Sequence, residues 1–473
     1  MLHAPCDAAV ARSSPPGGSP LESARNQRWT LVATILGSSL AFIDSTVVNV
    51  AIPSLARDLG AGASGAQWTV AAYLLPLAAF VLVGGAMGDR FGHRRLFLAG
   101  VSMFALASLG CGLSLTLWQL LAARAAQGAA AALFVPASLA LIGTTFSGAA
   151  RGKAIGTWSA FGSVASAAGP LVGGWLVDRW SWRLAFFVNL PVAAATIGIT
   201  LWLVSEARGG ATRRIDASGA IAAIVALGAM TAALTIGLER RTVAIALGAV
   251  SVAAFRWFIA VERRAAAPMM PLDVWGSRLF ASINALTFVV YAALSIFMFV
   301  LPIRLIVGER YSATASAAAL LPLVAELFVL SRWTGQWAST IGPRLPLTIG
   351  ALLVTAGFLL LAAMGGGGYW SGFLPGIVVL GLGMAMTVAP LTTAVMGALG
   401  DTRAGLASGI NNAVARTAGL AGVSAVALIA GARSQHELAA AFPRIMLAAA
   451  ALATCGAIVA AVFVRSVPDA RSG

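Results

Sequence analysis

The amino-acid sequence is divided into apolar runs of about 20 residues, the length that crosses a bilayer as an α-helix. Short polar segments separate the runs. Lipid offers the backbone no hydrogen-bond partner, so each run must be helical. The sequence therefore predicts an all-α integral membrane protein with fourteen transmembrane helices. The runs cover residues 30–54, 67–87, 96–114, 117–142, 154–177, 184–204, 217–237, 242–261, 280–302, 315–337, 347–364, 371–396, 410–431 and 444–464.

Composition agrees with this prediction, because 59% of the residues are hydrophobic and only 10% are charged. A soluble domain carries roughly 25% charged residues. In a soluble protein the net charge of +15 would indicate a nucleic-acid partner. Here nearly all of the basic residues lie between the apolar runs, so we expect the lipid bilayer, and no nucleic acid, as the partner of this chain.

The basic residues are divided unequally between the two sides of the membrane. An even number of spans puts both termini on one side. That side holds 18 Arg and Lys residues, and the opposite side holds 9. Positive charge is retained in cytoplasmic segments, so the sequence predicts a multi-pass protein of the cell (inner) membrane with both termini in the cytoplasm.

A short pattern of Gly, an Asp or Ser, Gly and Arg occurs twice, 250 positions apart. The first copy is Gly85 to Arg95, and the second is Gly335 to Arg344. Both copies lie between runs on the predicted cytoplasmic side. Internal repeats of this kind are typical of transporters built from two similar halves.

The repeat predicts two six-helix bundles joined by two extra helices. The predicted parts are a disordered cytoplasmic tail at 1–28, an N-terminal six-helix bundle at 29–206, two extra transmembrane helices with linkers at 207–279, and a C-terminal six-helix bundle with a short cytoplasmic tail at 280–473.

Five segments of the N-terminal half carry recognisable patterns. They are Phe42 to Pro53 (FIDSTVVNVAIP), Gly85 to Arg95 (GAMGDRFGHRR), Arg124 to Gly128 (RAAQG), Ala168 to Gly174 (AGPLVGG) and Trp182 to Pro191 (WRLAFFVNLP). Together they resemble the signatures of the major facilitator superfamily, specifically its fourteen-helix drug:proton antiporter branch. The helix count extends the resemblance over the whole chain.

The resemblance implies a major facilitator fold and a proton-coupled antiporter that exports small lipophilic or cationic compounds by alternating access. The proton gradient would be the energy source. We expect no catalytic, cofactor-binding or metal residues, and a protein that functions as a monomer with a small molecule and protons as partners. The alternative is a proton-coupled uptake symporter of a small metabolite on the same fold. An intramembrane enzyme would need clustered His, Cys or carboxylate groups at one membrane face, and the sequence offers no such cluster.

Three charged residues within the runs are candidates for proton coupling. Asp44 lies roughly 21 Å along its helix from the cytoplasmic side, and Arg124 lies roughly 10 Å from the outer end of its helix. In a core of about 30 Å the two are at similar depth. An arginine stays protonated, so only Asp44 can switch its charge. The alternative is a static pair that fixes helix packing. Glu326 is a second intramembrane carboxylate, which either carries protons, attracts cationic substrates or extends into a wet cavity.

Two further sets of residues have predicted roles. The first is a conformational latch centred on Asp89, in which the glycines permit a tight turn and the arginines supply charge; alternatively, these arginines only set topology. Its members are Gly85, Asp89, Arg90, Gly92 and Arg94. The second set lets helices approach closely and supports gating, since small residues at spacings of three and four share one helix face. Its members are Gln127, Gly128, Gly169, Pro170, Gly173 and Gly174.

Overall fold

The computed structural model describes residues 20–206, 217–265, 268, 270–364, 368–400 and 403–464. All regular elements within these ranges are helical. The α-helices are α1 (Pro20–Asp58), α2 (Ala63–Phe91), α3 (His93–Leu113), α4 (Leu117–Thr145), α5 (Gly148–Arg179), α6 (Leu184–Phe187), α7 (Asn189–Leu203), α8 (Ala217–Ile236), α9 (Arg241–Arg264), α10 (Arg278–Ile303), α11 (Ala313–Ala318), α12 (Leu321–Ile341), α13 (Arg344–Met364), α14 (Leu374–Gly397), α15 (Ala404–Ala430), α16 (Gln435–Ala440) and α17 (Phe442–Phe463).

Fourteen helical segments of the described residues are long and apolar enough to cross a membrane, as predicted. Helices α6 and α7 together form the sixth span, and the tenth span runs through α11 into α12. The short helix α16 lies between the last two spans. We call the end of the bundle at which α1 begins and α17 ends the terminal end, and the opposite end the far end.

The two halves of the chain pack their helices in the same pairs. In the first half α1 packs against α5, α2 against α4, and α3 against α4 and α7. In the second half the equivalent pairs are α10 with α15, α12 with α14, and α13 with α14 and α17. The predicted architecture of two six-helix bundles is therefore confirmed.

The extra helices α8 and α9 pack against each other, and α8 also packs against α2 of the first half and α15 of the second. The pair therefore flanks the junction between the halves. At the beginning of the chain, α1 starts at Pro20, so residues 20–28 are helical and do not belong to a disordered tail. The rest of that predicted tail lies outside the described residues.

Both copies of the repeated pattern form a tight turn at a single glycine. Gly92 separates α2 from α3 with a φ of 95°, and Gly342 separates α12 from α13 with a φ of 83°. Positive φ values favour glycine, because it has no Cβ to clash with the backbone. The prediction that Gly85 also takes part in the turn was wrong, since α2 continues as a helix to Phe91.

Candidate functional site

Asp44 of α1 and Arg124 of α4 form an ion pair in the interior of the first half. Arg124 Nη1 donates to Asp44 Oδ2 at 2.5 Å. The two side chains are 0% and 1% exposed. A buried pair of this kind gains stability only if its remaining polar atoms also have partners, because removing both charges from water is costly.

The second carboxylate oxygen of Asp44 accepts from two amides. Gln127 Nε2 donates to Asp44 Oδ1 at 3.1 Å, and Asn189 Nδ2 donates to the same atom at 3.3 Å. Both amides also donate to Ser108 Oγ, at 2.7 Å and 3.2 Å. Side chains from α1, α3, α4 and α7 therefore meet in one buried polar network. Both oxygens of Asp44 therefore have hydrogen-bond donors, which offsets part of the cost of burying the group.

Arg124 has further partners on each side of its guanidinium group. Its Nε donates to the Thr69 carbonyl at 3.2 Å, and its Nη1 donates to Gln127 Oε1 at 2.9 Å. The guanidinium carbon lies 4.4 Å from the ring centre of Tyr73 and 5.8 Å from that of Phe186. Aromatic faces attract a cation at such distances, so the packing helps to hold Arg124 in place.

Glu326 lies in the other half and is not part of this network. Its carboxylate packs against α14 where Gly381 leaves room, since a Cβ at that position would overlap Glu326 Oε2. Oε2 is buried without a hydrogen-bond partner. A carboxylate oxygen in that position is better accommodated when the group carries a proton. The geometry is compatible with a proton carrier, but it gives Glu326 no direct contact with Asp44.

The latch residues lie at the terminal end, beside the end of α7. Arg94 donates to the carbonyls of Thr200 and Leu201 at 3.1 Å and 2.8 Å, and so caps the last turn of that helix. Arg95 lies 3.7 Å from Glu206. These contacts remain within the first half. The Asp89 side chain is outside the described part of the structure.

Among the residues that the structure describes, Arg90 and Gly85 make no long-range contact of this kind. Arg90 extends over the ring of its neighbour Phe91, with 5.3 Å between the guanidinium carbon and the ring centre. A Cβ at Gly85 would meet no described atom within 4 Å.

The small residues of α5 let other helices approach it closely. A Cβ at Gly169 would overlap Thr46 of α1, and one at Gly173 would overlap Val47. A Cβ at Gly174 would lie 2.7 Å from the carbonyl oxygen of Ala313, which belongs to the second half. The helix continues unbroken through Pro170. On α4, a Cβ at Gly128 would overlap the Tyr73 carbonyl oxygen, so α2 lies directly against that residue.

Asp178, which the sequence did not single out, joins the two halves at the far end. Its carboxylate accepts from the backbone N–H groups of Ala313 and Thr314 at 2.9 Å and 2.8 Å. It also accepts from the Thr314 hydroxyl at 2.6 Å. The first N–H groups of a helix have no partner within the helix, so Asp178 of one half caps α11 of the other.

A second set of contacts between the halves also lies at the far end. Gln67 Nε2 of α2 donates to the carbonyls of Val423 and Ser424 of α15 at 2.7 Å and 3.2 Å. The N–H of Ala63 donates to the carbonyl of Arg433 at 3.0 Å. Together with Asp178, these contacts close the cleft between the halves at the far end.

Helix α5 packs differently along its length. Near its beginning, at the terminal end, a Cβ added to Gly152 or Gly156 would meet no described atom within 4 Å. Near its far end, Gly174 lies against the other half. The start of this helix therefore has free space beside it in the conformation that the structure describes.

Comparison with known proteins identifies the fold and its relatives. The sequence profile of the Major Facilitator Superfamily matches residues 34–423. Multidrug resistance protein Stp of Mycobacterium tuberculosis (strain CDC 1551 / Oshkosh) is 36% identical over 408 residues, which cover 82% of this chain and 73% of Stp. The tetracenomycin C resistance and export protein of Streptomyces glaucescens is 32% identical over 426 residues, which cover 88% of this chain and 78% of that protein.

Solved structures share the fold at low sequence identity. A bacterial homologue of the human lysosomal transporter Spinster, in an inward-facing and unoccupied conformation, has a TM-score of 0.68 and 15% identity. The match covers 95% of this chain and 98% of that one. At this level of identity the likeness concerns the fold alone.

Proposed function

Because the chain belongs to the Major Facilitator Superfamily, we propose that it exports small lipophilic or cationic compounds by alternating access, in exchange for protons. The family is one of transporters, and the chain is a multi-pass membrane protein. Relatives that are 30–36% identical carry names such as multidrug resistance protein, drug efflux pump and methylenomycin A resistance protein. Those names support drug efflux as the direction and class of transport.

The observation that carries the coupling proposal is the buried Asp44–Arg124 pair. A carboxylate that is 0% exposed can exchange a proton with water only if the structure around it opens. In this conformation, closed at the far end, both carboxylate oxygens of Asp44 accept hydrogen bonds. Opening at the far end would admit a proton from outside. Protonation would then release the pair, substrate would leave, and loss of the proton to the inside would re-form the ion pair of the present conformation.

The test is transport by the purified protein in lipid vesicles with an imposed proton gradient, using the lipophilic cation ethidium and a panel of toxic compounds as probes. We expect compound movement against the direction of proton flow, and loss of movement when a protonophore collapses the gradient. Cells that express the protein should tolerate higher concentrations of several compounds. Compound and proton moving in the same direction would instead support the uptake symporter.

The orientation in the membrane is the second expected result. Single cysteines at Ser14 and Ser472, in a chain otherwise free of cysteine, should react with an impermeant reagent only after the inner face is exposed. This follows from the excess of Arg and Lys on the side of the termini. Labelling of either position in intact cells would place the termini outside. The far end would then face the cytoplasm, and the proposed direction of transport would be reversed.

The third expected result concerns the far-end contact of Asp178, which we propose as part of the outer gate. Replacing Asp178 with Ala removes the cap of α11 and should favour conformations open at the far end. A hydrogen bond to a charged group contributes about 1.5–3 kcal/mol, so the population should shift by about tenfold or more. The measurement is the labelling rate of a cysteine at Ser316, which is 1% exposed behind this contact.

Asp58→Asn is the matched control for the gate. Asp58 lies at the same end but accepts from Trp182 Nε1, within its own half, at 2.8 Å. The control should leave the labelling rate of the cysteine unchanged. If the cysteine at position 316 is labelled at the same rate in Asp178→Ala and in the chain with Asp178, then Asp178 is not part of the gate.

A further inference from the structure

Arg416 is a charged residue in the thirteenth span that the coupling network does not use. It lies on α15, between residues 406 and 430 of that span, and is half-buried. In the part of the chain that the structure describes, its guanidinium group has no hydrogen bond or ion pair. An arginine within a membrane span is costly unless it is paired or hydrated, so its position requires an explanation.

The register of α15 against α2 places Arg416 between the two halves. These helices are the thirteenth and second spans and so run antiparallel. Gln67 is bonded to the Val423 carbonyl at 2.7 Å. Arg416 lies seven residues before Val423, which is two helical turns and therefore the same face of α15. Tyr73 lies six residues after Gln67, about 9 Å further along α2. Tyr73 and Arg416 are consequently at the same level.

A third helix reaches the same level from the second half. Helices α10 and α15 are the ninth and thirteenth spans and run parallel. Asn411 donates to Thr287 Oγ1 at 2.7 Å. Tyr291 follows Thr287 by four residues on α10, and Arg416 follows Asn411 by five residues on α15. Because the helices are parallel, Tyr291 and Arg416 lie at about the same level. The charge of Arg416 is close enough to act on the phenol groups of both Tyr73 and Tyr291.

The Tyr73 hydroxyl is the second unpaired group at this level. Tyr73 is 1% exposed, and its hydroxyl is buried without a hydrogen-bond partner. A buried hydroxyl without a partner costs about 1–3 kcal/mol, so one in a native structure indicates a missing partner. An arginine has only donors, and a hydroxyl has one donor to offer. A group that satisfies both must therefore be an acceptor, and the positive charge selects a negative one.

We propose that Arg416 and the Tyr73 hydroxyl form a subsite for the carboxylate of an amphipathic organic acid, in the cleft between the halves. This rests on the proposed export function and extends its substrate class to lipophilic anions. Asp44 does not supply the missing acceptor, because its donors are Arg124, Gln127 and Asn189, and the Tyr73 hydroxyl has no hydrogen-bond partner in the structure. The subsite also adjoins the coupling network. The ring of Tyr73 lies on Arg124, so an anion bound at its hydroxyl would contact the residue that packs on the ion pair.

The test is a binding measurement that needs neither transport nor a proton gradient. The probes are dansylglycine and its neutral amide, dansylglycinamide, which share the fluorescent apolar group and differ in charge. Their dissociation constants are measured by fluorescence on the purified protein in lipid nanodiscs. The unmodified protein should bind the carboxylate at least about tenfold more tightly than the amide, the factor that one charge-assisted hydrogen bond contributes.

Variants assign this preference to the two residues. Arg416→Gln should abolish it without changing the affinity for the amide, which also reports that the variant is folded. Arg416→Lys should retain part of it, since it keeps the charge but loses the bidentate geometry. Tyr73→Phe keeps the ring on Arg124 and should reduce the preference severalfold. Arg256→Gln is the control, because Arg256 is exposed on the extra helix α9 and should not affect either probe.

Three outcomes would overturn the subsite. Equal binding of the two probes to the unmodified protein would do so, as would binding of neither up to millimolar concentration. If Arg416→Gln still binds the carboxylate more tightly than the amide, the anion binds at another site. Failure of export in vesicles with the preference intact would instead refute the proposed function alone.

Discussion

Replacing Asp44 with Asn should abolish proton-driven export while leaving the protein in the membrane and still able to bind substrate. Asn has the shape of a protonated Asp, but it cannot titrate. If Asp44 carries the proton, its neutral form is part of the normal cycle, so the protein should tolerate it in place. Substrate-induced proton movement in vesicles should then fall by tenfold or more, a loss of at least about 1.4 kcal/mol in the driving step.

Asp58→Asn is again the matched control, because it makes the same chemical change at an exposed position. The Asp58 side chain is 54% exposed, and we expect its variant to exchange protons for substrate at the unmodified rate. If Asp44→Asn also does so, Asp44 has a structural role. Glu326, with its unpaired buried oxygen, then becomes the leading proton carrier.

The sequence predicted the span count and the two-bundle fold. These follow from the length and order of apolar runs and from a repeated pattern, which are local properties of a chain. Counting residues from the helix ends also put Asp44 and Arg124 at the same depth. The structure brings their side chains within 2.5 Å of each other. Gln127 belongs with Arg124 because three residues separate them on one helix face.

Counting residues along single helices could not predict the rest of the polar network around Asp44. Ser108 and Asn189 reach Asp44 from two other helices, and nothing in the local sequence fixes how those helices are rotated. Asn189 stood in one of the resembling segments, which was the only signal for it. Nothing in the local sequence marks Asp178, since its partner Ala313 lies 135 residues away. Tertiary packing alone makes it a cap.

Arg124→Ala should be more damaging than Asp44→Asn, with losses of both stability and export. Arg124 is 1% exposed and holds Asp44, Gln127 and the Thr69 carbonyl through hydrogen bonds. Its removal leaves the Asp44 carboxylate buried without a counter-charge, which typically costs about 3–5 kcal/mol. We expect a marked fall in the melting temperature of the purified protein. Arg256→Ala removes an exposed arginine from a span and should leave the melting temperature close to that of the unmodified chain.

The double variant Asp44→Asn/Arg124→Ala separates pairing from packing. If the damage of Arg124→Ala arises from the stranded carboxylate, neutralising Asp44 should restore part of the stability. The double variant should then be more stable than the sum of the single losses predicts, by about 0.5–3 kcal/mol, as for residues in direct contact. Additive losses would mean that Arg124 acts through Tyr73, Phe186 and the backbone of α2, independently of Asp44. Export should remain absent in the double variant in either case, because a repaired fold without a titrating group at position 44 has nothing with which to carry the proton.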